Sequence, residues 1–252
     1  MRLDNYLVER GYFDSRTKAK QAIERGEIYV NSIKVTKCAY LIDEQKEVEI
    51  KRICENSFVS LGGFKLKKAI DDFDFNANGL ITADIGASTG GFTDCLLLLG
   101  AKKVYAVDLN DELLHDKLKN DERVIPLIKN ARDLVANDFD DKLDLIVADL
   151  SFISVTYVLE VFSKLLTDGA KLIILIKPQF ESGEKRRFKN GIVKDKKLQL
   201  SICNTVYDCA LKYNLTPIGF TTAPIVKDKN IEFLMMFEKG GKTKIDKTVL
   251  DF

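Results

Sequence analysis

Two charged residues close runs that otherwise read as buried strands: Asp149 ends LDLIVAD (143–149) and Lys177 ends AKLIILIK (170–177). In an open parallel sheet ligands bind beyond the carboxyl ends of the strands, so both side chains converge on one crevice. An ammonium partly withdrawn from water loses some of the hydration that keeps it charged. Next to a carboxylate that holds it, such an amine can take a proton from a hydroxyl. The plainer reading is a rim salt bridge, with Lys177 leaving the core along its flexible stem. These two residues alone leave both readings open.

A third feature is the turn after LITADI, which reads DIGASTGGF with glycines at 86, 90 and 91. Ser88 occupies the second glycine position of a dinucleotide fingerprint, so close approach to a pyrophosphate is not provided for. No lysine follows Gly91, so a Walker loop is excluded. S-adenosylmethionine remains: Gly86, Ala87, Ser88, Gly90 and Gly91 form a turn at a helix N-terminus for its carboxylate, and Asp84 is the acidic group for its ammonium. The next strand stops at Asp108, where a carboxylate reaches both ribose hydroxyls of NAD or of the methyl donor alike. Asn130, beyond the third strand, is a candidate for the adenine edge. The bland alternative is a tight strand-to-helix turn, with Asp108 as a helix cap.

Other chemistries lack material. The single histidine, His115, falls within a predicted helix, which leaves no histidine metal site and no Ser-His-Asp arrangement. None of the four prolines precedes a cysteine, as methylation of a base carbon at cytosine position five would want. The place where amino-group methylation of bases shows Pro-Pro-aromatic reads ADLSFIS.

The elements that must carry these residues fall into two groups. Residues 1–50 read as two short helices, separated by Gly11 and ended by Gly26 with Ser15 as a cap, then a small sheet. Residues 51–63 read as a linker. From 64 to 252 strands at 80–85, 103–108, 124–128, 143–149, 170–177, 215–220 and 231–237 alternate with helices at 90–99, 111–119, 154–166 and 196–213. That alternation predicts an α/β fold with a mostly parallel sheet and helices on both faces. The short connection TTAPIVKDKN predicts an antiparallel final hairpin, the arrangement typical of the Rossmann-like class I methyltransferases. The chain is 46% hydrophobic and 31% charged, with 39 Lys and Arg against 38 Asp and Glu, so any nucleic-acid surface is local. Five cysteines without a C-x-x-C pair, a charged start and no long apolar run predict a cytoplasmic protein with reduced thiols, no metal and no membrane span.

Taken together, GGFKL (62–66), DIGASTGGFTD (84–94), YAVD (105–108), ADLSFIS (148–154), KPQFESG (177–183), NGIVKD (190–195) and KNIEFL (229–234) resemble the TlyA, or haemolysin-A-type, ribosomal RNA 2'-O-methyltransferases. Their catalytic half is related to FtsJ-type enzymes. The resemblance implies a Lys65, Asp149, Lys177, Glu232 tetrad with Lys177 as the base for a ribose 2'-hydroxyl and Asp149 also beside the cofactor. It implies cytidine in large-subunit RNA as substrate, with the small subunit as a second candidate. Residues 1–50 resemble the RNA-binding αL fold of small-subunit ribosomal protein four through RLDNYL, SRTKAKQAI and IYVNS. Leu61 and Asn56 stand where the family usually has arginines.

The RNA contacts expected from this resemblance and from charge are Arg2, Arg16, Lys18 and Lys20 in the first group, and Lys185, Arg186, Arg187 and Lys189 in the second. Residues 182–197 hold seven basic against two acidic groups beside the proposed site, which favours phosphate contact. The rival class is a non-catalytic RNA-binding protein or a membrane-active haemolysin. Retention of all four tetrad positions speaks against the first, and the lack of an apolar span or strongly amphipathic basic helix against the second.

Overall fold

The computed structural model describes residues 1–24, 26–31, 33–43, 48–52, 58–183 and 188–250. The chain forms two units, Met1–Ser57 and Phe58–Phe252. In the first, helices α1 (Leu3–Glu9) and α2 (Arg16–Glu24) are followed by strands β1 (Ile28–Val30), β2 (Ile33–Val35) and β3 (Ile50–Arg52). Leu3, Leu7, Ala19, Ile23 and Ile28 make its core. Gly11 and Gly26 follow the helices at positive φ, and the Ser15 hydroxyl accepts the Lys18 N–H at the start of α2. The antiparallel sheet runs β2-β1-β3, and its last pairs, Tyr29 with Lys51 and Ile28 with Arg52, carry the sheet past the expected boundary at residue 50.

The second unit begins with a helix where the sequence reading placed the end of a linker: α3 (Gly62–Asp72), which buries Leu66, Ala69 and Ile70. Then come β4 (Ile81–Ile85), α4 (Gly91–Leu98), β5 (Lys103–Asp108), α5 (Asp116–Lys119), β6 (Val124–Ile128) and β7 (Leu143–Ala148). They are followed by α6 (Leu159–Leu165), β8 (Leu166–Ile176), α7 (Pro178–Glu181), α8 (Lys196–Lys212), β9 (Leu215–Thr222) and β10 (Phe233–Lys239). Two expected helices are shorter than their patterns suggested. Only 116–119 of 111–119 is α-helical, with His115 capping it by accepting the Lys117 N–H, and 154–166 splits into a 3-10 turn at Val155–Tyr157 and α6.

The seven strands are ordered β6-β5-β4-β7-β8-β10-β9, all parallel except β10, which runs against both neighbours. The chain winds outward from β4 through β5 to β6 and returns to the other side of β4 for β7 and β8. That reversal opens a crevice beyond the ends of β4 and β7. Along β7 and β8 alternate residues serve two cores, which is why the stretches 145–148 and 172–176 are apolar without a break. Ile146, Ala148, Ile174 and Ile176 pack with Phe162 and Tyr207, while Leu145, Val147, Ile173 and Leu175 pack with Leu66 and Leu96 of α3 and α4. Continued one residue further, the alternation turns Asp149 and Lys177 toward the α3 and α4 side. No helix among the described residues is long and apolar enough to cross a membrane.

Candidate active site

Lys177 follows five fully buried residues and is itself only 8% exposed. Pro178 then starts α7, so the strand cannot continue and the lysine is fixed at the strand tip. Its Nζ lies 2.5 Å from Asp149 Oδ1 and donates to Ser151 Oγ at 2.9 Å. The contact with Oδ1 is close but not directed as a hydrogen bond, and that oxygen has no hydrogen-bond donor among the described residues. Lys65 on α3 pairs with Glu232 at 2.6 Å, both side chains being mostly buried. Phe233 is opposite Ile176 in the β8/β10 ladder, so Glu232 stands one step beyond, level with Lys177. The four tetrad positions thus form two ion pairs at one end of the sheet.

Sequence reasoning missed three further residues here. The Glu181 carboxylate on α7 accepts from the Ser154 hydroxyl at 2.5 Å and from the Val155 N–H at 2.8 Å. It closes the 149–155 loop against the Lys177 segment, and burial pushes its carboxyl above the usual range. Phe152, at the crest of that loop, is 90% exposed with φ +65°, and its ring lies 5.1 Å from Phe180. A bulky residue in the left-handed region is strained, and the contact with Phe180 still leaves most of this ring open to solvent. Ser151, the partner of Lys177, is the third. The signal was the polar spacing Ser151-x-x-Ser154 after a strand end.

The glycine loop is built around β4, β5 and β7. Gly86 and Ala87 donate to the Val107 carbonyl, and Asp149 N–H to that of Ile85. A side chain at Gly86 would stand 2.8 Å from the Asp149 carbonyl oxygen, and one at Gly91 2.2 Å from Ser60 Oγ. Only glycine permits these approaches, and they set the loop against Asp149. Asp108 holds the loop from β5, accepting Ser88 N–H at 2.8 Å and Leu109 N–H at 2.7 Å, one per oxygen, with lone pairs left on both. Gly90, at φ +90°, immediately precedes α4. This set fits an adenosine cofactor with a carboxylate end. Asn130 is exposed and accepts the Arg132 N–H, a turn that leaves its NH₂ outward.

Asp84 departs from expectation. It is fully buried, with Oδ2 accepting from the Thr93 N–H and hydroxyl at 2.8 and 2.7 Å and Oδ1 without a partner among the described residues. With no open surface it does not face a ligand. It ties the end of β4 to the first turn of α4, and burial pushes its carboxyl up to about 7.

The expected RNA contacts in the first unit are engaged in ion pairs. Arg2 and Arg16 both bond Asp4, which is buried and held down to about 2 chiefly by the Arg2 hydrogen bond. Lys18 pairs with Asp14 and Lys20 with Glu24, each one helical turn apart. All four basic side chains keep about half or more of their surface open. Lys189 is exposed, while Lys185, Arg186, Arg187 and Asn56 lie outside the described residues.

Comparison with known proteins agrees with this division. The FtsJ-like methyltransferase family matches residues 58–239, and the S4 domain matches residues 1–48. Hemolysin A of Brachyspira hyodysenteriae is 40% identical over 94% of this chain and 99% of its own. The 16S/23S rRNA (cytidine-2'-O)-methyltransferase TlyA of Mycobacterium tuberculosis is 34% identical over 93% of this chain and 88% of its own. A solved structure of a hemolysin-named protein from Streptococcus thermophilus superposes with a TM-score of 0.73 at 36% identity, covering 99% of this chain and 94% of that one. With that coverage at both levels, the chain belongs to the FtsJ-like methyltransferase family and, within it, to the group of hemolysin A and TlyA.

Proposed function

We propose that the protein methylates the ribose 2'-hydroxyl of cytidine in ribosomal RNA, with S-adenosylmethionine as donor. The large-subunit RNA is the first substrate and the small-subunit RNA the second. The observation that carries this reading is Lys177, withdrawn from water between Asp149 and Ser151, beside a glycine loop that Gly86 brings against Asp149. The name borne by the Mycobacterium tuberculosis relative supports the substrate.

Gly86, Ala87, Ser88, Gly90 and Gly91 would hold the donor's amino-acid end and Asp108 its ribose. The donor, when bound, supplies an electrophilic methyl group on a sulfonium. A sugar hydroxyl is a poor nucleophile until its proton leaves, so the protein must remove that proton and align oxygen with carbon. Lys177, as the neutral amine, would take the hydroxyl proton while the ribose oxygen bonds to the methyl carbon and the carbon–sulfur bond breaks, its electron pair leaving on a neutral thioether. The new ammonium is stabilised by Asp149 and later returns the proton to water. Lys65 and Glu232 balance charge beside it, and Phe152 offers an aromatic face to the base of the target nucleotide. The S4 unit, with Arg2, Arg16, Lys18 and Lys20, and the basic stretch 185–189 supply phosphate contacts.

The test is incubation with labelled donor and ribosomal subunits that lack the modification, followed by nucleoside analysis. Label in 2'-O-methylcytidine supports the reading. Label on protein, on base atoms or nowhere contradicts it.

A further inference from the structure

We infer that Ser151 is a positioning residue that aims the Lys177 lone pair at the substrate hydroxyl; this rests on the proposed role of Lys177 as base. A lysine nitrogen has three outward tetrahedral directions. One meets a hydrogen-bond acceptor, Ser151 Oγ at 2.9 Å, while Asp149 Oδ1, 2.5 Å away but off the hydrogen-bond directions, adds an undirected charge. When the amine is neutral it has two N–H bonds and one lone pair; Ser151 retains one N–H bond, and the Asp149 charge attracts the other and repels the lone pair. The lone pair is left on the third direction. With Asp149 alone, the group could turn about its terminal bond and spend the lone pair on Ser151's side, where it does no work.

The surroundings make Ser151 able to do this. It is exposed on a loop whose far end Glu181 clamps through Ser154 and Val155, so its hydroxyl is held by the backbone and not by burial. An alanine there removes an acceptor without opening a cavity, which separates aiming from folding. Threonine retains the oxygen.

The experiment uses the full chain, S-adenosylmethionine and ribosomal subunits. Ser151→Ala is expected to lower kcat about tenfold, the worth of one hydrogen bond to a charged or reacting group. The KM for subunits and the Kd for the donor stay within about twofold, because no contact to either is removed. Ser151→Thr restores most of kcat. In ¹⁵N-lysine spectra the Lys177 Nζ resonance, assigned by its loss in Lys177→Ala, is slowed in exchange with water in the wild type and in Ser151→Thr, and broadens in Ser151→Ala. Wild-type kcat in Ser151→Ala, or an unchanged Lys177 resonance, overturns the inference whatever the wild type methylates. A wild type that makes no 2'-O-methylcytidine overturns the proposed function instead, and the resonance then still decides whether Ser151 fixes the amine.

Discussion

Glu232 stands level with Lys177 across the β8/β10 ladder, one step beyond the Phe233 and Ile176 pair, and from there its carboxylate holds Lys65 at 2.6 Å. Each ion pair therefore lies within reach of the other's field, where solvent screens weakly. Glu232→Gln leaves Lys65 as an uncompensated positive charge beside the base and should lower kcat by about tenfold or more. Because the two residues act as a unit, Lys65→Ala combined with Glu232→Gln should cost about as much as the worse single change. Kinetics of the two singles and the double check this; strictly multiplicative losses would count against a coupled pair.

The Glu181 clamp makes a separate prediction. Its carboxylate satisfies a backbone N–H and a hydroxyl of the 149–155 loop, so Glu181→Ala leaves the buried Val155 N–H unpaired, at about 1–3 kcal/mol of stability, while the half-buried Ser154 hydroxyl turns to Thr156. Loosening that loop also loosens Asp149 and Ser151, and kcat should fall with little change in donor affinity. Glu181→Gln, which can still accept one of the two bonds, should lie between. Urea unfolding with donor titration checks it; weakened donor binding as the main effect would place Glu181 elsewhere in the mechanism.

Asp84 gives the pH dependence of stability. Its carboxyl sits at about 7 in the folded chain, against about 4 in an unfolded one. Between those values the native state holds a proton that the unfolded state has released, so this residue's contribution to stability falls as pH rises through that window and stays low above it. Asp84→Asn cannot ionise yet keeps an acceptor for Thr93. The variant should gain on the wild type from about pH 4 to about pH 7, by no more than about 4 kcal/mol. Denaturant midpoints across that range measure the difference, and parallel profiles would refute it.

Phe152 lies outside the core, with 90% of its surface open, and under the proposed function it stacks on the target base. Phe152→Ala should raise the KM for ribosomal subunits about tenfold or more, as stacking on a base is worth about 1–3 kcal/mol. Thermal unfolding should be unaffected. An unchanged KM would remove the aromatic contact from the account.

Strand tips were the legible part of the site. Asp108, Asp149 and Lys177 each follow an apolar run whose period and length mark a buried parallel strand, and the fold places them where the runs end. The N-terminal helices were legible through Gly11, Ser15 and Gly26, which carry turn and cap chemistry of their own. Helix α3 was overlooked although Leu66, Ala69 and Ile70 have helical spacing, because the glycine pair before it reads as a linker. Asp84 misled for a different reason. A carboxylate at a strand end looks alike in sequence whether it faces the crevice or the adjacent helix, and only packing against Thr93 decides. The Glu181 clamp joins α7 to a loop 26 residues away through a side chain, so no local pattern announces it.

The most direct measurement is methyl transfer to ribosomal subunits by Lys177→Ala beside calorimetric titration of the same variant with S-adenosylmethionine. Removal of the base should lower kcat by about 10²–10⁴-fold while donor affinity stays close to that of the wild type. Turnover equal to the wild type would contradict the account, since the 2'-hydroxyl proton would then be leaving by another route.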